Sequence, residues 1–243
     1  MNPSPAAVIP NVSFRSARRH LLFLGAVVLT AGFSYAGEGK ILSGNFEEGD
    51  LDGWTTPGKV VAISGEGLKS SAPVGYISRR LEHSTADEGK LVFKANVWPK
   101  GEDASWIMIG FFPKQENTAS GGLQVLIRPA NNPHGGGTLF SGPGTSPKEG
   151  GNPSGLLKVF KLSDIGNPPY SVELAYSTTP PSVTVTINGE VVAQDLPTAY
   201  EGVAGSPPPP EAFAFAGIVF FQQNETEGGG RVQNAAVEWI PAH

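Results

Sequence analysis

The chain of 243 residues contains no cysteine. Disulfides, thiol chemistry, thiolate metal sites and a lipid-modified N-terminal cysteine are therefore excluded. A domain of ordinary size tolerates this even outside the cell, provided that its core is large. Histidine is nearly as scarce. His83, His134 and His243 are the only ones beyond residue 36, and none is spaced with another His or a carboxylate as a zinc motif requires. No serine sits in a Gly-x-Ser-x-Gly elbow. Gly135–Gly137 lacks the lysine and the strand–helix setting of a phosphate loop. Helix-period patterns are rare, whereas Gly (32) and Pro (22) are plentiful, the balance expected of many strands joined by turns.

Positive charge is in short supply as well. Lys+Arg number 17 against 22 Asp+Glu, and three of the arginines lie in the first 36 residues. Those residues read as a signal peptide. Arg15, Arg18, Arg19 and His20 form a positive region, Leu21–Ala31 (LLFLGAVVLTA) an apolar one, and Ser34-Tyr35-Ala36 a small-residue cleavage site. The apolar run is short and Gly-interrupted for a membrane span, so an uncleaved anchor is the lesser alternative. Arg18-Arg19 leaves open both the twin-arginine and the general secretory routes. The expected product is secreted, extracellular or periplasmic: a single β-sandwich domain over residues 37–243, with no membrane association after cleavage. Fourteen Lys+Arg then face 22 Asp+Glu, a formal charge of −8. An acidic surface argues against nucleic acid as a partner and against anionic membranes. Oligomeric state stays open.

Ser182–Gln194 (SVTVTINGEVVAQ) anchors the fold class. Val183, Val185 and Ile187 alternate with Thr184 and Thr186, the period of a half-buried strand. Asn188-Gly189 suits a two-residue type I′ turn, because both residues accept positive φ. Such a turn sets Ile187 opposite Glu190, Val185 opposite Val192 and Val183 opposite Gln194, and Val183, Val185, Ile187 and Val192 then share a core face. Leu91, Phe93, Ala95 and Val97 form a second core face. Ser105–Phe112 is apolar on both faces, as a central strand should be. Leu123, Val125 and Ile127 point inward, with Gln124, Leu126 and Arg128 opposite. Short strands are expected at Lys59–Ser64, Val74–Arg79, Thr138–Ser141 and Leu156–Leu162. Val172, Leu174 and Tyr176 face inward, as do Phe213, Phe215, Val219 and Phe221, and finally Ala235, Val237 and Trp239. Phe46 and Trp54 are packing anchors in a turn-rich entry. Residues 130–155 and 197–210 read as long loops.

The last third resembles the concanavalin A-like, or laminin-G-like, jelly-roll superfamily. YSVELAYS, the Asn-Gly hairpin VTVTINGEVVA, the Phe-rich FAFAGIVFF and the closing RVQNAAVEW follow one another in that superfamily's order. The resemblance spans roughly Leu91–Ile240 and implies an all-β, two-sheet antiparallel jelly-roll sandwich of the bacterial secreted carbohydrate-binding type. The superfamily includes sugar-binding modules, lectins, glycoside hydrolases and polysaccharide lyases. NFEEGDLDGW separately resembles the opening of some bacterial carbohydrate-binding sandwiches, but lacks their closing paired aspartates.

Glu48-Gly49-Asp50-Leu51-Asp52 superficially resembles the acidic strand of jelly-roll glycoside hydrolases. A retaining glycosidase holds two carboxylates about 5–5.5 Å apart, but here Gly49 and Gly53 interrupt the strand and the final Glu is missing. No catalytic residue is assigned. The same carboxylates offer calcium its oxygen ligands, yet an EF-hand loop from Asp50 would place Val61 where Glu is needed. No cofactor is therefore expected, with a structural calcium ion as the open alternative. Asn224-Glu225-Thr226 matches a glycosylation acceptor, relevant only in a eukaryotic host.

The outward residues of the regular strands carry the candidate binding surface: Trp98 as an aromatic platform, with Asn96, Gln124, Arg128 and Glu173 as hydrogen-bond partners, flanked by Lys94, Thr184 and Thr186. Alternating polar residues are also what any solvated sheet face shows. The leading functional expectation is a secreted, non-catalytic sandwich that binds carbohydrate. The alternatives are a glycoside hydrolase or polysaccharide lyase of the same fold, or a structural or protein-interaction domain.

Overall fold

The computed structural model describes residues 41–44, 46, 51–58, 60–82, 87–100, 105–115, 122–129, 136–141, 156–198, 213–221 and 230–242. The signal-peptide stretch, all three later histidines, the glycosylation motif, Glu48 and Asp50 lie outside them. Among the described residues the chain forms fifteen strands and one 3₁₀ turn at Leu162–Asp164. In chain order the strands are β1 (Ile41–Gly44), β2 (Thr55–Gly58), β3 (Val60–Ile63), β4 (Gly67–Ser70), β5 (Val74–Arg80), β6 (Gly89–Trp98), β7 (Trp106–Phe112), β8 (Leu123–Ile127), β9 (Gly136–Ser141), β10 (Leu156–Lys161), β11 (Tyr170–Thr178), β12 (Pro181–Ile187), β13 (Glu190–Pro197), β14 (Phe215–Phe221) and β15 (Arg231–Pro241).

All pairings are antiparallel. An eight-stranded sheet runs β13-β12-β11-β6-β15-β4-β3, with β1 also on β15. A seven-stranded sheet runs β10-β9-β8-β7-β14-β5-β2. The inner faces meet in one apolar core. Phe93 of the first sheet lies 6.0 Å, ring to ring, from Phe111 of the second. Phe213 leads into β14, and Tyr176 packs edge-on against its ring at 5.3 Å. Phe46 and Trp54 are both buried and meet edge to face at 5.9 Å, as anchors should.

The hairpin forms where the alternation places it. Asn188 (φ 51°) and Gly189 (φ 82°) occupy the left-handed region, as a type I′ turn requires. Asn188 Oδ1 accepts the Ser171 N–H at 2.8 Å, tying the turn to β11. Ile187 faces Glu190 and Thr186 faces Val191, as the two-residue turn requires, but beyond those pairs the register differs. Val185 faces Ala193 and Val183 faces Leu196. Two bulges cause the shift. Extra residues at 192 and near Asp195 (φ 47°) leave β13 longer than its partner. Val192 is still buried, beside Ala193.

The phase of β14 is the reverse of the sequence expectation. Ala216, Ile218 and Phe220 join the inter-sheet core, while Val219 packs in a separate cluster with Tyr76, Met108 and Phe112 on the outer side. Phe215 and Phe221 share that outer side and are only partly buried. Every residue of this strand is apolar, so no polar partner marks its solvent side. Three short strands, β1, β2 and β4, carry too few residues to display an alternation.

Candidate functional site

The register of β6 decides which predicted site residues come together. On its outer face Lys94 pairs with Glu173 of β11, and Asn96 stands between Ser171 of β11 and Gln233 of β15. Trp98 faces Arg231 at the start of β15. Val232 pairs with Leu68 of β4, which carries Lys69 to the level of Arg231. Trp98, Asn96 and Glu173 are thus neighbours on the outer face of the eight-stranded sheet. Thr186, opposite Glu173, continues that face. Lys94 Nζ lies 3.3 Å from Glu173 Oε2, a solvated ion pair.

Gln124 and Arg128 do not join them. Both belong to the β8 segment of the seven-stranded sheet, and both are buried. The five-residue patch is therefore divided between two sheets. Strand alternation shows that a residue points away from the core, but not from which sheet. Arg128 Nη1 donates to Thr138 Oγ1 at 3.0 Å, bridging β8 and β9. No carboxylate among the described residues pairs with its guanidinium, and burial lowers its pKa from the usual arginine value.

At the Trp98 end of the eight-stranded sheet, the side chains enclose a cleft of about 390 Å³. It is lined by Lys69, Trp98, Pro99, Lys100, Pro168, Gly230 and Arg231. Gly230 makes the arrangement possible. A Cβ there would fall 2.0 Å from the Trp98 carbonyl oxygen and 2.5 Å from Ile107 Cδ1. Only glycine lets the start of β15 lie this close, and that approach carries Arg231 over the indole, its Cζ 4.6 Å from the ring centroid. The contact is a cation–π interaction. The indole beside it stays half-buried, and the guanidinium is a fork of several N–H donors.

Lys69 pairs with Glu66. The Glu66 carboxyl is held below its usual range first by that hydrogen bond and charge, and to a lesser degree by Arg231. Lys100 and Arg231 form no ion pair among the described residues. The sequence reading missed Arg231, Lys69, Lys100 and Pro168. The alternation of Ala235, Val237 and Trp239, extended backward, would turn Arg231 inward. A bulge between Gln233 and Ala236, with Asn234 at φ 52°, inverts the phase. Val232 becomes the buried residue, and Arg231 joins the outer face. The signal was the Val-Gln-Asn-Ala run, in which Asn is the residue that best tolerates the left-handed conformation.

No group of three or more His, Asp or Glu residues among the described residues stands close enough to hold a metal ion. Asp52 accepts the Phe46 N–H through Oδ2 at 3.4 Å and lies at φ 48° in the entry turn.

The fold is the concanavalin A-like jelly roll, all-β and two-layered. No family model matches the chain, and no curated protein does. Its likeness is to solved structures. The metal-free carbohydrate recognition domain of Emp46p aligns with a TM-score of 0.52 at 11% identity, over 84% of this chain and 97% of that one. The potassium-bound form of that domain gives 0.51 at 13% identity, over 83% and 98%. An apo Crh5 transglycosylase gives 0.51 at 12% identity, over 84% and 85%. At such identities the likeness concerns architecture alone, and the same architecture carries recognition in one neighbour and transglycosylation in another.

Proposed function

We propose that this chain is a secreted, non-catalytic carbohydrate-binding domain, residues 37–243 after signal removal, and that it takes its ligand in the Trp98 cleft. The observation that carries the proposal is the cleft itself. A partly exposed indole, two prolines and three side chains rich in N–H donors enclose about 390 Å³, the size of a small-ligand site. A pyranose offers a C–H face and a rim of hydroxyls. The half-buried indole of Trp98 suits the first, since its negative quadrupole attracts C–H dipoles, and the Lys and Arg donors suit the second. The Emp46p domains, whose fold this chain shares, are carbohydrate recognition domains.

The choice against catalysis rests on acid content. None of the described cleft-lining residues is a carboxylate. Strands β5, β7, β8, β9 and β14, the centre of the seven-stranded sheet, contain no Asp or Glu. Glycoside hydrolysis of the usual kind needs two.

The test is a glycan array followed by calorimetry with Trp98→Ala. Expected is a bound glycan whose affinity falls at least about tenfold, roughly 1.4 kcal/mol, while the unfolding free energy changes by less than about 1 kcal/mol, because the ring is outside the core. A lowered melting temperature with unchanged glycan affinity would place Trp98 in a structural role and remove the site. Turnover of a polysaccharide by the purified protein would overturn the non-catalytic reading.

A further inference from the structure

We propose that the Trp98 cleft selects an anionic saccharide, one whose sugar ring bears a carboxylate or a sulfate ester. The inference rests on the carbohydrate reading of this cleft and specifies its substrate class. Among the described residues that line the cleft, Lys69, Lys100 and Arg231 are cations and none is an anion. The chain as a whole has more acids than bases, so a local excess of this kind is not a reflection of composition. Of the three charges, one is compensated, Lys69 by Glu66. The other two face the cleft without an ion pair among the described residues.

Their geometry is specific. Arg231 is held against the Trp98 ring with its Cζ 4.6 Å from the centroid, and a guanidinium carries its N–H donors in one plane. A fork of this kind matches a carboxylate or sulfate through two parallel N–H···O bonds. Lys100 supplies a mobile point charge on the neighbouring segment, whose backbone is held where the Lys100 carbonyl accepts the Gly230 N–H at 3.4 Å. A neutral sugar would use the indole and take only ordinary hydroxyl hydrogen bonds from the cations. An acidic sugar uses the indole and both cations together.

The experiment is calorimetry on the full secreted chain with three probes of equal length: a galacturonic acid hexamer, the same hexamer after carboxyl reduction, and a sulfated galactan hexamer. Expected is at least tenfold tighter binding of a charged probe than of the neutral one, with the margin shrinking as salt is added. Whichever charged probe gains identifies the source as carboxylate or sulfate ester. Lys100→Gln, at an exposed position, should cut the charged-probe affinity about tenfold, the usual worth of a charge-assisted hydrogen bond, and the neutral-probe affinity by a clearly smaller factor, since the amide still donates to a hydroxyl. Arg231→Gln should cut it by at least as much.

Equal affinity for neutral and charged probes, abolished by Trp98→Ala, would overturn the anionic selectivity and leave the sugar site standing. A charge preference that survives both Lys100→Gln and Arg231→Gln would place the anion elsewhere and overturn it too. No binding of any probe, with an empty glycan array, would remove the carbohydrate reading and this inference with it.

Discussion

The two sheets turn opposite kinds of face away from the shared core. Outside the eight-stranded sheet, Lys94, Asn96, Trp98, Glu173, Thr184, Thr186 and Arg231 are exposed or half-exposed, and the one ion pair among them, Lys94–Glu173, is solvated. Outside the seven-stranded sheet, Ser78, Met108, Phe112, Gln124, Leu126, Arg128, Thr138 and Phe140 are all buried. Ser78 Oγ has no hydrogen-bond partner among the described residues. The first face has the cost structure of a surface, where a polar group exchanges one water for another and little is gained or lost. The second resembles an interior, where each polar group must find a partner or destabilise the fold. The difference shows why one rule, polar residues alternating with apolar ones, cannot assign function to both.

The largest effect expected along this contrast is in the core that both sheets share. Phe93 is fully buried and packs near Trp54 (5.9 Å) and Phe111 (6.0 Å). Phe93→Ala should cost about 3–5 kcal/mol, read from urea unfolding. A loss under about 1 kcal/mol would mean that the sheets are not sealed there.

Next comes the buried outer face. Arg128→Ala removes a long packed stem and should cost about 2 kcal/mol. Arg128→Met keeps most of the stem and removes a buried cation that has no described acid beside it, so it should leave stability within about 1 kcal/mol or raise it. If Met proved as damaging as Ala, the guanidinium charge rather than its stem would be the stabilising part, and this face would hold an anion.

The exposed face should respond weakly. A double-mutant cycle on Lys94→Ala and Glu173→Ala should give a coupling of about 0.2–1 kcal/mol, smaller at high salt. The smallest effect concerns Glu66. Its carboxyl titrates below the usual range because Lys69 pairs with it. A depressed carboxyl stabilises the fold above its unfolded-state pKa and loses that contribution as pH falls through the folded one. Lys69→Met should move the Glu66 midpoint upward in an NMR titration, with almost no change in melting temperature at neutral pH. An unmoved midpoint would dissolve the pair.

Much of the fold could be read from alternation alone. Leu91–Val97, Val172–Tyr176 and Val183–Ile187 declared their core sides, because Lys94, Asn96, Glu173, Thr184 and Thr186 stood between the apolar positions to mark water. Where that contrast vanished, the reading failed. In β14 all residues are apolar, and Phe215 and Phe221 were assigned to the wrong side. In β15 and β13 the bulges at Asn234 and Asp195 altered phase and register, since a single left-handed residue is invisible to a period-two count. The site was half legible for the same reason. Trp98, Asn96 and Glu173 converge as their strands suggested, whereas Gln124 and Arg128 part from them because strand neighbours in space are fixed by long-range pairing. Arg231, Lys69 and Lys100 meet at the cleft from three separate segments, and no local pattern joins them.

The doubly bulged β13 lies at the border of the eight-stranded sheet. There Asp195 N–H donates to Thr184 Oγ1 at 3.1 Å, and the same hydroxyl donates to Asp195 Oδ1 at 3.1 Å, so the irregular backbone is satisfied from within. An incoming strand needs an even ladder of open donors and acceptors, and here it meets two breaks in rhythm and acidic side chains at Glu190 and Asp195. A sandwich with an unprotected border is a template for unlimited stacking of copies. This border offers a next strand a poor ladder to pair with.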